Sequence, residues 1–311
     1  MSPAEYCGIL PEFFLPSSPW HGTFPCIVLP PLTYTFTGAM DMKAKILRRF
    51  LILFCVVLWV CWQQYGLQTT RTLFYSARLP SAFDGFRIVQ LSDLHGRQYG
   101  PDHSWLVQTV QRLKPDLIAI TGDLLEEDAQ LPDTLTLLNT LTSIAPTCFV
   151  TGNHEWSLTD LPGVLKSFSD AGVTVLQNES LLLKRGDQQI LVAGVDDPCG
   201  PRDQITPQDL GATLRQTYGQ EIFFLLLAHR NETPSYWAAT EADLVLAGHA
   251  HGGLIRLPYL GGIIQRHGKT GFDSGLYASG DTSLYVSRGL GGKGFRLFNR
   301  PEIALIELRQ S

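Results

Sequence analysis

Five short apolar runs, each followed by residues that can bind a metal ion, constrain this chain more than any other feature. These five runs and one further run are rich in Ile, Val, Leu and Phe. The six runs cover residues 86–91, 116–120, 148–150, 190–195, 222–228 and 244–247. Stretches with apolar residues at helical spacing lie between them, at 104–113, 134–143 and 161–171. Short buried strands that alternate with helices predict an α/β fold.

The residues after five of these runs have metal-binding side chains. They are Asp93 and His95, Asp123, Asn153 and His154, His229, and His249 and His251. A lone Asp or His after a strand is more often a turn former or a helix cap. However, five of the eight histidines of the chain fall at these strand ends. Because ligands gather at the carboxyl ends of strands in an α/β sheet, we expect these side chains to converge.

The chemistry of this set favours a hydrolytic dimetal centre. Carboxylates, imidazoles and an amide oxygen suit Mn²⁺, Fe²⁺ or Zn²⁺. Two such ions about 3.5–4 Å apart neutralise a phosphate and lower the pKa of a bound water. They need a bridging carboxylate, for which Asp123 is the natural candidate. The six cysteines lack the paired spacing of a structural zinc site, and we expect Cys148 and Cys199 to be small buried residues.

Composition limits the remaining function classes. The chain has 311 residues, of which 44% are hydrophobic and 17% are charged, which is enough for a sizeable core. The formal net charge of -5 gives no overall basic face, so we expect no nucleic-acid partner. Any anion site must therefore be local. Residues 252–300 are rich in Arg and Gly, and they predict either a basic rim that holds an anionic group or a solvated loop with structural arginines.

Three segments are predicted along the chain: an irregular extension at 1–41, a basic region with a hydrophobic anchor at 42–72, and a catalytic domain at 73–311. The true start of translation is expected at Met42 or Met40, because basic residues there directly precede the apolar run at 50–62.

The apolar run at 50–62 predicts a single membrane anchor through residues 50–70. The run has 13 residues, fewer than the roughly 20 that span a bilayer, so a buried or interfacial helix is the alternative. No small-residue cleavage site follows, which favours a retained anchor over a cleaved signal. The excess of basic residues before the run predicts a cytoplasmic N-terminus and an extracytoplasmic catalytic domain. The cytoplasmic face is the alternative location.

The order of the motifs resembles that of the calcineurin-like metallophosphoesterases. The matching motifs are Asp93-x-His95, Gly122-Asp123, Gly152-Asn153-His154-Glu155, His229 and Gly248-His249-x-His251. Residues 246–253, 276–277 and 284–291 further resemble the membrane-associated YkuE/YaeI-type phosphodiesterase branch. The resemblance extends from about residue 85 to 309. It implies a four-layer α/β/β/α sandwich with a dimetal centre at one end.

The resemblance also implies roles for the individual residues. The first metal would take Asp93, His95, Asp123 and His251, and the second would take Asp123, Asn153, His229 and His249. His154 would contact the phosphate and help the leaving oxygen depart. Glu155 would either orient His154 or cap the following helix. Arg97, Arg230 and Arg288 are further candidates for binding an anionic substrate.

These expectations combine into a metal-dependent phosphohydrolase. It would cleave a phosphodiester or pyrophosphate bond through a metal-bound hydroxide, with two divalent ions, Mn²⁺ first among them. The expected substrate is an anionic phosphate ester, including lipid-linked ones. Relatives of this branch suggest UDP-2,3-diacylglucosamine, a lipid A precursor, although the predicted outward orientation argues against it. The alternatives are an extracytoplasmic phosphodiesterase of another substrate, a protein phosphatase, and a non-catalytic scaffold.

Overall fold

A computed structural model describes residues 42–257, 259–263, 271–292 and 294–311. The extension predicted at 1–41 lies outside the described residues. Contacts within the chain divide it into two units, Met1–Arg49 and Phe50–Ser311. Helix α1, Met42–Tyr65, runs across this boundary. Searching the described residues finds no helix with both the length and the apolar character that crossing a membrane requires.

The first sheet has six strands. They are β1 (Gln68–Ser76), β2 (Arg87–Leu91), β3 (Leu117–Thr121), β4 (Thr147–Val150), β5 (Thr174–Val175) and β14 (Glu302–Gln310). Their order across the sheet is β1-β14-β2-β3-β4-β5. Strands β2 to β5 run parallel, whereas β14 pairs antiparallel with β2 and parallel with β1. The final strand of the chain thus lies between β1 and β2.

The second sheet also has six strands. They are β6 (Glu179–Arg185), β7 (Gln188–Gly194), β8 (Phe224–Leu227), β9 (Leu244–Ala247), β12 (Gly275–Ser279) and β13 (Thr282–Val286), in the order β12-β13-β9-β8-β7-β6. The central strands β7, β8, β9 and β13 are parallel, and the two edge strands pair antiparallel. A small hairpin, β10 (Arg256–Leu257) and β11 (Gly261–Gly262), pairs separately.

Helices cover the outer face of each sheet. Those of the first sheet are α2 (Ser104–Leu113), α3 (Leu131–Ile144) and α4 (Leu161–Asp170), and those of the second are α5 (Pro207–Tyr218) and α6 (Pro234–Ala238). Short 3-10 turns lie at Ser81–Phe83, Pro101–His103, Asp128–Gln130, Glu155–Ser157 and His251–Gly253. The apolar side chains between the two sheets form one buried cluster to which both sheets contribute. The layers therefore run α, β, β, α.

All six predicted runs form strands, because each is buried between a helical layer and the opposite sheet. In β3, for example, every residue from Leu117 to Thr121 is buried. The three predicted helices are present as α2, α3 and α4. Cys148 is buried in β4 as expected, but Cys199 lies in an exposed loop, so the prediction of burial is wrong there.

Candidate metal centre

The turns after five strands meet at one edge of the two sheets. Strands β2, β3 and β4 of the first sheet and β8 and β9 of the second are parallel within their sheets, so their carboxyl ends face the same side. The structure brings the predicted metal-binding residues together at this edge, in three overlapping groups: Asp93, His95 and His251; His95, Asp123 and His154; and Asp123, His229 and His249. Ligand atoms within each group lie within 4.8 Å of one another.

The first group joins the turn after β2 to the turn after β9. The Nε2 atoms of His95 and His251 lie 3.3 Å apart. An Oδ1 of Asp93 lies 3.6 Å from Nε2 of His251 and 4.0 Å from Nε2 of His95. On its other side, Nδ1 of His95 lies 3.1 Å from a carboxylate oxygen of Glu126. Such a carboxylate fixes the orientation of a metal-binding imidazole.

The third group, Asp123, His229 and His249, joins β3 to β8 and β9. Nε2 of His229 lies 3.2 Å from Oδ2 of Asp123 and 3.1 Å from Nδ1 of His249. Nδ1 of His229 lies 2.8 Å from the carbonyl oxygen of Thr121. Because a carbonyl only accepts, Nδ1 carries a hydrogen, and Nε2 is the atom that faces the cluster.

Asp123 is shared between the groups. Its Oδ2 lies 3.2 Å from His229 and 3.7 Å from Nε2 of His95, while its Oδ1 accepts the backbone N–H of His154 at 2.9 Å. The carboxylate of Asp123 therefore faces a ring nitrogen of His95 on one side and of His229 on the other. This is the position that a bridging ligand between two cations requires.

The donor set fits divalent cations. Ring nitrogens face one another at 3.1–3.3 Å, with carboxylate oxygens around them. Within the described part of the chain, the buried Oδ1 of Asn153 has no hydrogen-bond partner. Buried polar atoms are normally paired, so an unpaired amide oxygen beside this cluster matches the oxygen ligand expected of Asn153.

The backbone at this edge is strained. Five of the clustered residues have left-handed backbone angles, with φ between 48° and 65°, and they are Asp93, His95, Asp123, His249 and His251. Residues with side chains avoid this region unless the surrounding structure holds them there, and such residues concentrate at functional sites. The turns are also packed too closely for a side chain at residue 248, since a Cβ atom at Gly248 would lie 2.5 Å from Oδ2 of Asp93.

Glu155 has a role that differs from both alternatives drawn from the sequence. Its fully buried carboxylate accepts the backbone N–H groups of Gly152 and Asp123 at 2.7 and 2.8 Å, and those of Leu124 and Leu125 at 2.7 and 3.3 Å. It thus holds the turns after β3 and β4 against each other. Burial, followed by the charge of Asp123, raises the pKa of Glu155 to about 7.

The surroundings shift the pKa values of His95 and His229 in opposite directions. Burial and the neighbouring His251 lower the pKa of His95 to about 4, so its imidazole is neutral at pH 7. For His229, burial lowers the pKa, but the charge of Asp123, its hydrogen bond to His229 and the charge of Asp93 together outweigh burial and raise the pKa to about 10. Burial likewise opposes ionisation of Asp123, yet the charge of His229 holds its pKa below the ordinary value. Without metal, Asp123 and His229 therefore form an ion pair.

The three predicted arginines occupy different places. Arg230 follows the ligand candidate His229, and its Nη1 lies 2.8 Å from Nε2 of His249. The guanidinium of Arg97 stacks over the ring of Tyr65, with Cζ 4.7 Å from the centroid. Nη2 of Arg288 donates to a carboxylate oxygen of Glu302 at 3.0 Å, an ion pair that ties it to β14.

Sequence reasoning missed the residue that holds Arg230. Asp197, which is buried, accepts Nε of Arg230 at 2.6 Å and Nη2 at 3.0 Å. Asp197 lies three residues beyond the end of β7, so its position at a strand end was the available signal. Beside this pair is a cavity of about 830 Å³, whose lining includes Ile205, Tyr236 and Trp237.

Comparison with known proteins identifies the family. Residues 86–253, more than half of the chain, match the calcineurin-like phosphoesterase family. The chain is 33% identical to the uncharacterized metallophosphoesterase YkuE of Bacillus subtilis, over 80% of this chain and 88% of the relative. It is 30% identical to phosphodiesterase YaeI of Escherichia coli, over 72% of this chain and 82% of the relative.

The chain belongs to the calcineurin-like phosphoesterases, which confirms the resemblance seen in its motifs. The family uses a dimetal centre, and the clustered residues are this chain's candidates for it. A further relative is named transmembrane protein with metallophosphoesterase domain, from Danio rerio. It is 31% identical over 75% of this chain and 55% of its own length.

Proposed function

We propose that this protein is a phosphodiesterase or pyrophosphatase that works with two divalent cations, Mn²⁺ first among them. The single observation that carries the proposal is the shared position of Asp123 between two histidine-rich groups. One cation would be held by Asp93, His95, Asp123 and His251, and the other by Asp123, Asn153, His229 and His249. When bound, the cations would neutralise the phosphate oxygens and lower the pKa of a water.

His154 is the proposed acid for the leaving oxygen. Its ring is half-buried and stands edge-on to that of His95, with centroids 4.8 Å apart. Its backbone N–H is bound to Asp123, which fixes the residue next to the bridging position. A side chain so placed can reach a phosphate held at the cluster and protonate the oxygen that departs.

Arg230 is the proposed contact for a second anionic or polar part of the substrate. Its two hydrogen bonds to Asp197 hold the guanidinium at the border between the cluster and the 830 Å³ cavity. A fixed guanidinium presents several N–H donors to phosphate oxygens. Arg97 and Arg288 stay predictions for the same role, and Arg288 would have to leave Glu302 to fulfil it.

Attachment to a membrane through residues 50–70 is part of the proposal, with α1 as the inserted element, because Gln68–Thr70 belong to strand β1. The large apolar side chains of α1 from Phe50 to Leu58 are each 49–63% exposed, which is unusual for a chain surrounded by water alone. The name of the Danio rerio relative points the same way. We place the catalytic domain outside the cytoplasm. A reporter fused after Ser311 tests this, and activity of a cytoplasmic reporter alone would contradict it.

The substrate class follows from the centre and the anchor together. An anionic phosphate ester linked to a lipid would meet a membrane-attached phosphodiesterase directly. UDP-2,3-diacylglucosamine is the most specific candidate, but it requires the cytoplasmic face. Cleavage of this compound to UMP and the acylated sugar phosphate would therefore support a lipid A role and contradict the outward orientation.

The test of the catalytic proposal is hydrolysis of bis(p-nitrophenyl) phosphate by the full chain with Mn²⁺. We expect turnover that EDTA abolishes and that Asp123→Asn lowers by about 10³-fold or more. Asp116→Asn is the matched control, because Asp116 immediately precedes the opposite end of the same strand and binds the backbone of Arg87. Unchanged turnover in Asp123→Asn would refute the site. Absent turnover in the wild type with bound metal would favour the scaffold.

A further inference from the structure

An exposed apolar hairpin follows the last residue of the metal cluster. Strands β10 and β11 pair a few residues beyond His251, and the side chains of Tyr259 and Leu260 at the tip are 107% and 73% exposed. Leu257 and Ile263, on either side, are also exposed. Two large apolar side chains at the tip of a loop have nothing to pack against within the described part of the chain.

A second exposed apolar segment lies beside this hairpin. Phe295 and Phe298 are each about half exposed. The backbone N–H of Arg256 donates to the carbonyl of Leu297 at 3.0 Å, and that of Leu297 donates to Leu254 at 3.2 Å. The two segments are therefore joined along their backbones. We refer to their exposed side chains as the apolar platform, which consists of Leu257, Tyr259, Leu260, Ile263, Phe295 and Phe298.

The platform is continuous with α1. The rings of Trp59 and Phe298 are in edge contact, with centroids 5.5 Å apart. The side-chain oxygen of Gln64 accepts the backbone N–H of Arg296 at 2.9 Å, and its amide donates to the carbonyl of the same residue. The end of the helix and the platform are therefore one structural unit.

The exposure of α1 indicates what covers this surface. Five consecutive residues, Phe50, Leu51, Ile52, Leu53 and Phe54, are each at least 50% exposed. Successive residues of a helix point about 100° apart, so these five cover its whole circumference. A partner protein or a second copy of the chain would cover one stripe, whereas lipid acyl chains surround a helix on all sides.

Charge and side-chain type fit the same partner. The platform presents a tyrosine and two phenylalanines, and α1 adds Trp59 and Trp62; tryptophan and tyrosine favour the boundary between headgroups and acyl chains. The charge of Arg256 is neutralised by its ion pair with the buried Asp273, whereas Arg300 stacks over Trp62 at 3.9 Å. A basic side chain among aromatic ones suits the headgroup region of a bilayer.

The platform is also tied to the metal cluster. The side-chain amide of Asn299 donates to the carbonyl of His251 at 2.7 Å and to that of Leu254 at 3.1 Å. Nη1 of Arg256 donates to the carbonyl of Gly252 at 3.0 Å. Both apolar segments are thus anchored to the turn that carries His251.

We propose that the apolar platform is a second membrane-docking surface, which inserts into a bilayer beside α1 and presents the metal cluster to headgroup phosphodiesters. The choice of headgroup substrates rests on the proposed function, whereas the docking itself does not. Insertion of α1 alone would leave the domain free to rotate about the axis of the helix, whereas insertion at two places fixes the orientation of the domain. The substrate class would then be phosphodiesters that remain in the bilayer while they are cleaved.

The test measures binding of the full chain to vesicles of phosphatidylcholine and phosphatidylglycerol in equal parts, by sedimentation. Tyr259→Glu/Leu260→Glu should lower the partition coefficient by at least about tenfold, because the inserted side chains become charged. Leu73→Glu/Tyr75→Glu is the matched control. These residues are about half exposed on β1, towards the end of the strand that is far from the metal cluster, and should change binding less than about twofold.

Two results would overturn the proposal that the platform docks to a membrane. One is binding of Tyr259→Glu/Leu260→Glu within about twofold of the wild type, and the other is an equal loss in the β1 control. If Leu53→Glu/Val57→Glu abolishes binding while Tyr259→Glu/Leu260→Glu keeps it, α1 is the sole attachment. Turnover of bis(p-nitrophenyl) phosphate without vesicles is measured on the same samples. Its absence in the wild type would reject the proposed catalytic function and leave the result on docking intact.

Discussion

Gly152→Ala tests whether the position of Asp123 controls the chemistry. A Cβ atom at residue 152 would lie 2.2 Å from Oδ1 of Asp123 and 2.6 Å from its backbone nitrogen. Real Cβ atoms essentially never approach within 3.0 Å, so the carboxylate must move by about 0.8 Å. A misplacement near 1 Å costs roughly 10²-fold in rate, which corresponds to about 2.7 kcal/mol of transition-state stabilisation.

The assay is Mn²⁺-dependent hydrolysis of bis(p-nitrophenyl) phosphate, with kcat/KM expected to fall about 10²-fold and more Mn²⁺ needed for half-maximal activity. Gly186→Ala is the control, because no heavy atom lies within 4 Å of its Cβ position. Its positive φ of 61° should cost about 1 kcal/mol of stability and leave turnover unchanged. A loss below about threefold in Gly152→Ala, or an equal loss in Gly186→Ala, would refute the reasoning.

Three further predictions address the acid, the metal-free state and the fold. His154→Ala should keep its metal but lose about 10²–10⁴-fold in kcat on an alkyl phosphodiester. The loss should be much smaller on the p-nitrophenyl ester, because its leaving group needs no protonation. Equal losses on both substrates would contradict the role of His154 as the acid. In metal-free protein, burial lowers the pKa of His229, but interactions led by the charge of Asp123 raise it to about 10. Mn²⁺ binding at pH 7.5 should therefore release a proton from His229. Calorimetry in buffers of different ionisation enthalpy measures this release. The stability that the protonated His229 contributes is complete below pH 6.5 and is lost as the pH rises to about 10, so the urea midpoint should fall over this range, and the fall should be smaller in His229→Asn. Arg215→Met should lower the free energy of unfolding by more than about 2 kcal/mol, because it removes one of the two arginines paired with the buried Asp243 and the donor to the carbonyls of Glu241 and Ile222. The exposed Arg309→Met should cost less than about 1 kcal/mol in the same urea titration.

The strands that the sequence predicted are mostly buried on both faces, although β13 and β14 are also largely buried and were not predicted. Strands β3, β8 and β9 are continuous apolar runs because a helix layer covers one face and the other sheet covers the second. The strands without a clear pattern are β1 and β6, whose residues are mostly exposed or half-exposed. Their apolar residues do not form a continuous run, so pairing with neighbours far along the chain decides their structure.

The C-terminal part shows a different limit. Residues 252–300 allowed either a basic rim or structural arginines, and the contacts favour the latter for the described residues. Arg288 pairs with Glu302, and the buried Arg296 donates to the carbonyl oxygens of Arg288 and Gly291. Glu302 belongs to β14, and the two carbonyl oxygens lie in the glycine-containing loop that follows β13. The path of that loop decides which partners the arginines meet, so the pattern of charges alone could not select between the alternatives.

The clustering of the site could be predicted because residue type and strand ends coincide. Asp93, Asp123 and His229 each follow an apolar run directly or after one or two residues. The contacts of Glu155 and Asp197 could not be predicted. Glu155 binds backbone amides from a different turn, and Asp197 binds an arginine 33 residues away. Both depend on the approach of loops from different strands, which residue spacing does not encode.

Anomalous diffraction at the manganese edge, from crystals of the full chain grown with Mn²⁺, tests the central claim most directly. The account predicts two peaks about 3.5–4 Å apart. One should lie among Asp93, His95 and His251, the other beside His229 and His249, with the Asp123 carboxylate between them. A single peak, or peaks that Asp123 does not touch, would contradict the dimetal site from which the proposed phosphodiesterase activity follows.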